Sequence, residues 1–183
     1  MSGAGKDGGR LRYAAFDARL FRGHAVLSER GLCRLELVER LTREPGPALR
    51  AWIAKRFPSA RLERDERALR DLIGQLHEYA AGRRRRFEQA LDLYGTPFQQ
   101  RVWRALLDIP YGAIASYGTI AARIGAPAAA RAVGAANGAN SVPILVPCHR
   151  VVAGASLGGF GLGLAQKRVL LDLEGVRDYE HGA

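Results

Sequence analysis

The sequence predicts an α/β protein, with a small N-terminal antiparallel sheet and helices followed by a mostly helical C-terminal domain that contains a helix-turn-helix. Three observations lead to this prediction. Near the N-terminus, short runs of alternating apolar residues are broken by glycine, as in a small sheet. Further along, apolar residues recur at helical spacing. Finally, Thr96-Pro97 marks the start of a second, helix-rich half.

The first half is predicted to form three strands and two helices. The strands are short and interrupted by Gly23 and Gly31, and each helix has its apolar residues on one face. The strands cover 11–16, 20–28 and 32–38, the helices cover 47–57 and 66–81, and the segment 87–93 approaches a further strand.

In the second half, Thr96 is a suitable N-cap and Pro97 suits the first helical position, which predicts a helix to Ile109. Two short helices follow, over 116–124 and 128–137, and Gly125 lies between them. Such a pair is typical of a helix-turn-helix. The second helix has only small side chains apart from Arg131. It therefore suits either close packing within the domain or a shallow contact with DNA.

Composition limits the classes of protein to consider. A chain of 183 residues with 48% hydrophobic content can bury a core, and the pattern divides it into domains over 1–93 and 94–183, with 1–10 expected to be disordered. A net charge of +10 favours a polyanionic partner such as nucleic acid, or simply a solvated basic surface.

Cys33 and Cys148 have neither disulfide nor zinc spacing. No secretion signal or membrane span is evident, so we expect a soluble cytoplasmic protein, or a nuclear one in a eukaryote.

The segment Pro147-Cys148-His149-Arg150 contains the most informative residues. A cysteine attacks as its thiolate, and neighbouring basic groups control how much thiolate forms. His149 and Arg150 are two such groups. Taken alone, Cys148 could equally be a small core residue.

Several further blocks carry a resemblance. They run in order from about Tyr94 to Val176, and the most specific is Pro-Cys-His-Arg-Val. The blocks are 95–103, 109–112, 116–117, 130–134, Asn140, 142–152 and 167–175. Together they resemble the O6-alkylguanine-DNA alkyltransferases, the methylated-DNA-protein-cysteine methyltransferase family.

The resemblance implies DNA repair in a single, irreversible transfer of an alkyl group to Cys148, from O6-alkylguanine and also from O4-alkylthymine. It implies base flipping, double-stranded DNA with alkylated guanine as partner, a monomer, and no cofactor or metal. The implied catalytic residues are Cys148, His149, Glu174 and Asn140. The implied substrate-binding residues are Tyr117, Arg131, Pro143, Val151, Phe160, Gly159 and Gly161, and the implied DNA-binding residues are Ala128, Ala129, Arg131 and Ala132.

The implied roles make chemical sense. Glu174 orients His149, which acts as a base on Cys148, and we expect a bridging water because neighbours in an extended chain point to opposite sides. Asn140 braces the turn around the cysteine, and Tyr117 donates to the departing base. Arg150 is expected to be structural.

One segment departs from the family pattern. Residues 158–163 fall where the family has a pocket loop with a tyrosine and a small polar residue, whereas here Phe160 lies among four glycines. Stacking on Phe160 should survive, while hydrogen bonds must come from the backbone. Two other function classes remain open at this stage: a cysteine hydrolase or acyltransferase, and a lesion-binding module without chemistry.

Overall fold

The computed structural model describes residues 9–154 and 156–177. The chain divides into two compact units, Met1–Tyr94 and Gly95–Ala183. Of the segment 1–10, which the sequence predicts to be disordered, residues 1–8 lie outside the described residues, and Arg10 already belongs to the first strand.

The first unit contains a four-stranded sheet in the order β3-β2-β1-β4. β1, β2 and β3 pair antiparallel, which agrees with the predicted sheet. β4 pairs parallel to β1 and was not predicted, because Arg-Leu-Glu-Arg has no apolar alternation and only the pairing with β1 makes it a strand. The strands are β1 (Arg10–Asp17), β2 (Arg22–Ser28), β3 (Gly31–Leu37) and β4 (Arg61–Arg64).

Two helices pack on this sheet, α1 (Pro47–Arg56) and α2 (Glu66–Ala80). Tyr13 of β1 belongs to a buried cluster with residues of α1. Phe16 instead contacts Phe21, which in turn contacts Tyr79 of α2. Because side chains alternate between the two faces of a strand, α1 and α2 cover opposite faces. The predicted α/β class is confirmed.

The segment 87–93 does not form the further strand that the sequence suggests. It makes a single bridge, between Leu91 and Leu32. The buried carboxylate of Asp92 is held there by side chains, accepting a hydrogen bond from Ser28 Oγ at 2.6 Å and pairing with Arg30 at 2.9 Å. Cys33 lies in the core of this unit, where burial raises the pKa of its thiol to about 12.

Among its described residues the second unit contains four α-helices, α3 (Pro97–Leu107), α4 (Tyr117–Arg123), α5 (Ala130–Gly138) and α6 (Leu164–Leu173). Thr96 caps the start of α3, as the Thr-Pro signal predicts, and Gln99 completes a capping box that was not predicted. The predicted helix 128–137 begins instead as a 3-10 turn, Pro127–Ala129, and becomes α-helical at Ala130.

The two helices of the helix-turn-helix, α4 and α5, pack against α3. Trp103, only 1% exposed, donates from its ring nitrogen to the carbonyl of Ala136 at 2.8 Å. This bond ties α3 to α5, and α4 also packs on α5. Two short strands, β5 (Ala115–Ser116) and β6 (Val151–Val152), pair in parallel and join α4 to the cysteine segment. Within the described residues, no helix has the length and apolar character needed to cross a bilayer.

Candidate active site

Cys148 opens a 3-10 turn, Cys148–Arg150, that leads directly into β6. The backbone N–H of Cys148 donates to Val146, and that of Arg150 donates to Pro147. The backbone therefore turns at Cys148, whereas the sequence argument about the two neighbouring side chains applied to an extended chain. The turn arises because Pro147 precedes the cysteine and because these local backbone bonds close it.

Asn140 clamps the loop that leads to the cysteine. Its Nδ2 donates to the carbonyl of Val146 at 2.8 Å, and its Oδ1 accepts from the N–H of Val142 at 2.9 Å. Between these two points Ile144 has a φ of 74°, a left-handed conformation that strains a β-branched residue. Asn140 thus holds both ends of a strained loop just before Cys148.

The Cys148 side chain is 4% exposed. Burial raises the pKa of its thiol to about 11, although a hydrogen bond from Asn140 and the positive charge of Lys167 oppose the shift. The sulfur is consequently a thiol at neutral pH, and it needs a base when it reacts.

His149, the residue that follows Cys148, forms a buried pair with Glu174. His149 Nε2 lies 2.9 Å from Glu174 Oε1, and neither side chain has any exposure. Because a carboxylate only accepts, Nε2 carries the hydrogen and Nδ1 presents its lone pair. Within 9–154 and 156–177, Nδ1 has no hydrogen-bond partner.

Arg150 completes this cluster. Its Nε and Nη2 donate to the two carboxylate oxygens of Glu174, both at 2.8 Å, and its Nη1 donates to the carbonyl of Ile109 at 2.7 Å. The N–H of Gly112 adds a longer bond to Glu174, at 3.3 Å. This bidentate geometry keeps Glu174 rigid.

These contacts determine the charges of His149 and Glu174. Burial raises the pKa of Glu174, but the hydrogen bonds from His149 and Arg150 outweigh it and lower the pKa to about 2. Burial lowers the pKa of His149, against an opposing effect of Glu174. A neutral imidazole beside an ionised carboxylate is the state that can accept a proton.

Tyr117, the first residue of α4, lies beside the pocket loop. A Cβ added to Gly158 would lie 2.9 Å from a ring carbon of Tyr117 and 3.0 Å from its hydroxyl, and Gly158 has a φ of 65°. Burial raises the pKa of Tyr117, while hydrogen bonds from the Gly159 N–H and the Asn137 side chain lower it. The hydroxyl is therefore close to both the loop and α5.

Comparisons with known proteins place this site in a family. The family described as 6-O-methylguanine DNA methyltransferase, DNA binding domain, matches residues 97–176. A methylated-DNA–protein-cysteine methyltransferase of Mycobacterium tuberculosis is 56% identical over 114 residues, 62% of this chain and 69% of the relative. The inducible protein of the same name from Bacillus subtilis is 46% identical over 132 residues, 72% of this chain and 74% of the relative.

This chain is also similar to two solved structures of Mycobacterium tuberculosis proteins. The structure of O6-methylguanine methyltransferase has a TM-score of 0.72, and that of OGT in complex with DNA has a TM-score of 0.70. Each is 42% identical in sequence, over 90% of this chain and 92% of the solved chain. The chain belongs to the methylated-DNA–protein-cysteine methyltransferase family. The resemblance inferred from the sequence is confirmed, as is the fold class.

In this methyltransferase, most of the residues expected in the chemistry lie around one cysteine. The described contacts join His149 to Glu174, and Asn140 and Tyr117 to the surroundings of Cys148. Val151 is buried in β6, and Pro143 is half-buried in the clamped loop.

Other expected residues lie towards the surface of the unit. Arg131 and Ala132, in the first turn of α5, are exposed together with Ala128, while Ala129 is half-buried. On the pocket loop, Phe160 is half-buried and Gly159 and Gly161 are exposed. The roles of these residues remain predictions.

Two buried polar side chains of the methyltransferase were missed. Lys167 is fully buried in α6 and donates to the carbonyls of Val151, Leu157 and Gly159, and burial lowers its pKa to about 8. Asn137 is 4% exposed in α5. A signal existed for both, because each occupies a core position of its helix, where an apolar residue is usual.

Proposed function

We propose that this protein repairs DNA by moving an alkyl group from O6 of guanine to the sulfur of Cys148, once per molecule. The observation that carries the proposal is a buried thiol followed directly by a buried neutral histidine, itself held by an ionised glutamate, in a chain of the methyltransferase family. The same chemistry extends to O4-alkylthymine, where the alkyl group is also bound to an oxygen of the base.

The base in this reaction is His149. A water between its Nδ1 and the thiol carries the proton, since Nδ1 presents a lone pair and Nε2 is held by Glu174. As the imidazole becomes positive, the carboxylate stabilises it. Arg150 keeps the carboxylate in place, so the relay starts from a fixed geometry.

The transfer itself is an in-line displacement. The sulfur forms a bond to the alkyl carbon while the bond from that carbon to O6 breaks, and the electron pair of that bond goes to guanine. The proton lost by the thiol is balanced by the proton that guanine gains, so no other reactant is needed. The carbon–sulfur bond of the resulting thioether is not hydrolysed under ordinary conditions. Each protein molecule therefore acts once.

A hydrolase or acyltransferase would use the same residue types but would release product repeatedly. Membership of the methyltransferase family favours displacement at an alkyl carbon, in which no acyl centre forms and the group that needs stabilisation is the departing purine. A free thiol is consumed in the reaction, which favours the reducing cytoplasm as the place of action. All the site residues come from one chain, which supports action as a monomer.

The test is a stoichiometric reaction with a duplex that contains O6-methylguanine. We expect the intact protein to gain the mass of one methylene group, mapped to the peptide with Cys148, at one equivalent per molecule and with no further turnover. Continued product release beyond one equivalent supports a hydrolase. Binding without any gain in mass supports a lesion-binding module.

DNA binding is assigned to the start of α5. Ala128, Ala129 and Ala132 offer no long side chain, so the backbone can approach the duplex closely, and Arg131 projects from this bare surface. We propose that Arg131 fills the space left by the flipped base and that the base enters the pocket beside Phe160. Flipping costs less for a poorly paired, alkylated base.

Arg131→Ala tests this assignment. We expect transfer from a methylated duplex to slow by roughly a hundredfold, because no long side chain then fills the space left by the flipped base. Reaction with the free alkylated base should keep its rate, since that base does not have to be flipped. Both rate constants are measured by mass spectrometry under single-turnover conditions. Arg104→Ala removes the same charge from an exposed position in α3 and should leave both rates within about twofold. An equal loss with the free base would contradict the role of Arg131.

Gly158→Ala tests the shape of the pocket. The added methyl group would meet the ring and hydroxyl of Tyr117 and would strain a left-handed backbone, so we expect transfer to slow by about tenfold or more. Gly163→Ala is the matched control on the same loop, because Gly163 also has a left-handed φ, 84°, but a Cβ there meets nothing within 4 Å. Similar rates for the two variants would show that the Tyr117 side of the pocket does not limit transfer.

A further inference from the structure

The turn that follows α3 is a part of the family resemblance that the proposed reaction does not yet use. It comprises Ile109-Pro110-Tyr111-Gly112. The N–H of Ala113 donates to the carbonyl of Pro110 at 3.2 Å, which closes the turn. Gly112 has a φ of 78°, a conformation that glycine readily adopts at the third position of a turn.

The backbone of this turn contacts both members of the Arg150–Glu174 ion pair. The carbonyl of Ile109 accepts from Arg150 Nη1 at 2.7 Å, and the N–H of Gly112 donates to Glu174 Oε2 at 3.3 Å. A Cβ added to Gly112 would lie 3.1 Å from the backbone oxygen of Glu174, so the turn lies directly against the end of α6. The position of the turn thus affects the guanidinium and the carboxylate together.

Tyr111 adds a side chain to these backbone contacts. Its hydroxyl donates to the carbonyl of Leu173, the last residue of α6, at 2.9 Å. Carbonyls in the last turn of a helix have no partner within the helix, so the tyrosine supplies one from outside. Leu173 immediately precedes Glu174, and this bond therefore ties the backbone beside the carboxylate to the turn.

The ring of Tyr111 contacts the other member of the pair. Its centroid lies 5.8 Å from Cζ of Arg150, within the range of a cation–π contact. Arg150 is only 7% exposed, and an ion pair that is shielded from water is stronger than an exposed one. One rigid side chain thus contacts the arginine with its ring and the end of α6 with its hydroxyl.

The proposed relay requires Glu174 to stay in place while the charge of its partner changes. When His149 takes the proton of Cys148, the imidazolium is stabilised only if the carboxylate remains at hydrogen-bond distance. Glu174 also accepts two bonds from Arg150, which could draw it away from His149. A fixed backbone at Leu173 limits that movement, so the carboxylate is already oriented when the charge develops.

We propose that Tyr111 is a positioning residue for alkyl transfer. It holds the backbone of Leu173 and the guanidinium of Arg150, and thereby keeps Glu174 at hydrogen-bond distance from His149. The inference rests on the proposed function. Tyr111 itself forms and breaks no covalent bond, and its effect on the reaction is exerted through Glu174.

Tyr111→Phe tests this inference on the full chain, because it removes the hydroxyl and keeps the ring. The rate constant for transfer from a duplex with O6-methylguanine is measured under single-turnover conditions at several duplex concentrations. We expect the maximal rate to fall about fivefold, as for the loss of one hydrogen bond. The duplex concentration for half-maximal rate should stay within about twofold, since the proposed DNA contact lies in α5. A wild-type maximal rate, or a change in the half-maximal concentration alone, would overturn the inference.

The pH dependence of the rate separates positioning from a structural role. Glu174 raises the pKa of His149, against the larger effect of burial that lowers it. If the carboxylate is held less firmly, that pKa falls further. The acid limb of the rate, where His149 becomes protonated, should then lie at lower pH in Tyr111→Phe than in the wild type. A variant that merely unfolds more easily lacks this shift, and an unmoved limb counts against the inference.

Tyr13→Phe is the matched control. It removes the hydroxyl of a buried tyrosine that donates to Glu44 in the first unit. The maximal rate should stay within about twofold of the wild type, and the acid limb should not move. Equal losses in Tyr13→Phe and Tyr111→Phe would show that transfer responds to the loss of either hydroxyl, which contradicts a specific role for Tyr111.

A double-mutant cycle with Glu174→Gln tests the connection to the relay. In the Glu174→Gln background, Tyr111→Phe should slow transfer by less than about twofold, because the charge that it positions is already absent. A fivefold loss in that background as well would overturn the inference. If the wild-type protein gains no methyl group at all, the proposed function fails first and the inference falls with it. If the wild type reacts and the two changes act independently, only the inference fails.

Discussion

Cys148→Ala should transfer no alkyl group at all. The sulfur is the acceptor in the proposed reaction, and no neighbouring side chain can replace it as a carbon nucleophile. Because the side chain is small and its carbonyl still accepts from Asn137, the loss of the sulfur should cost only about 1 kcal/mol of unfolding free energy. The variant should therefore fold and still bind a duplex with O6-methylguanine, which a gel-shift assay measures beside intact mass.

The second cysteine provides the matched control. Cys33 is also buried and also has a raised pKa, but it lies in the core of the first unit, where its Sγ donates to the carbonyl of Val26 at 3.3 Å. Cys33→Ala should keep the full stoichiometry of transfer. A methyl group found on Cys148→Ala protein, or lost only in Cys33→Ala, would assign the acceptor role to a residue other than Cys148.

Glu174→Gln should affect stability and reaction together. The change leaves the Arg150 guanidinium in a buried position without its ionised partner, which costs about 3 kcal/mol or more in unfolding free energy. It also leaves the tautomer of His149 unspecified and the imidazolium without a counter-charge. Transfer should therefore slow by roughly a hundredfold or more. Denaturant unfolding and single-turnover rates measure the two effects.

Glu63→Gln is the comparison for this variant, since Glu63 pairs with Arg10 at a surface position where the two side chains are 37% and 63% exposed. It should change stability by less than about 1 kcal/mol and leave transfer unaltered. A Glu174→Gln protein as stable and as active as Glu63→Gln would contradict the proposed relay.

Acid titration of the unaltered protein tests the same pair without a substitution. The pKa of Glu174 is lowered to about 2 in the folded chain, below its ordinary value, so the carboxylate stabilises the fold above that ordinary value. This contribution, about 3 kcal/mol from the size of the shift, should disappear as the pH falls towards 2. The lowered pKa of His149 acts in the same direction, because the unfolded chain binds that proton more readily as the pH falls below the ordinary histidine value. In Glu174→Gln most of this acid sensitivity should be absent.

Local signals in the sequence predicted local structure well. Thr96 and Pro97 predicted the start of α3, and Thr96 caps that helix as expected. The strands of the antiparallel part of the sheet also appear where apolar residues alternate. Each of these features depends on residues only a few positions apart, so the chain needs no distant partner to produce them.

Features that depend on distant partners were not predicted. β4 becomes a strand only through pairing with β1, and segment 87–93 does not extend beyond a single bridge. Lys167 and Asn137 look like misplaced polar residues in apolar helix faces until the fold brings backbone carbonyls to them. Composition and periodicity contain no information about which carbonyl a buried side chain will meet.

By itself, the sequence determined the fold class and the family and predicted the nucleophile, because the residues around Cys148 form a short and specific motif. Only the tertiary structure decided how that motif is held. Glu174 is 25 positions from His149 and 62 from Gly112, yet all three meet in one buried cluster. The physical reason is that burial makes each of these polar contacts obligatory, and burial is a property of the packed chain rather than of any segment of it.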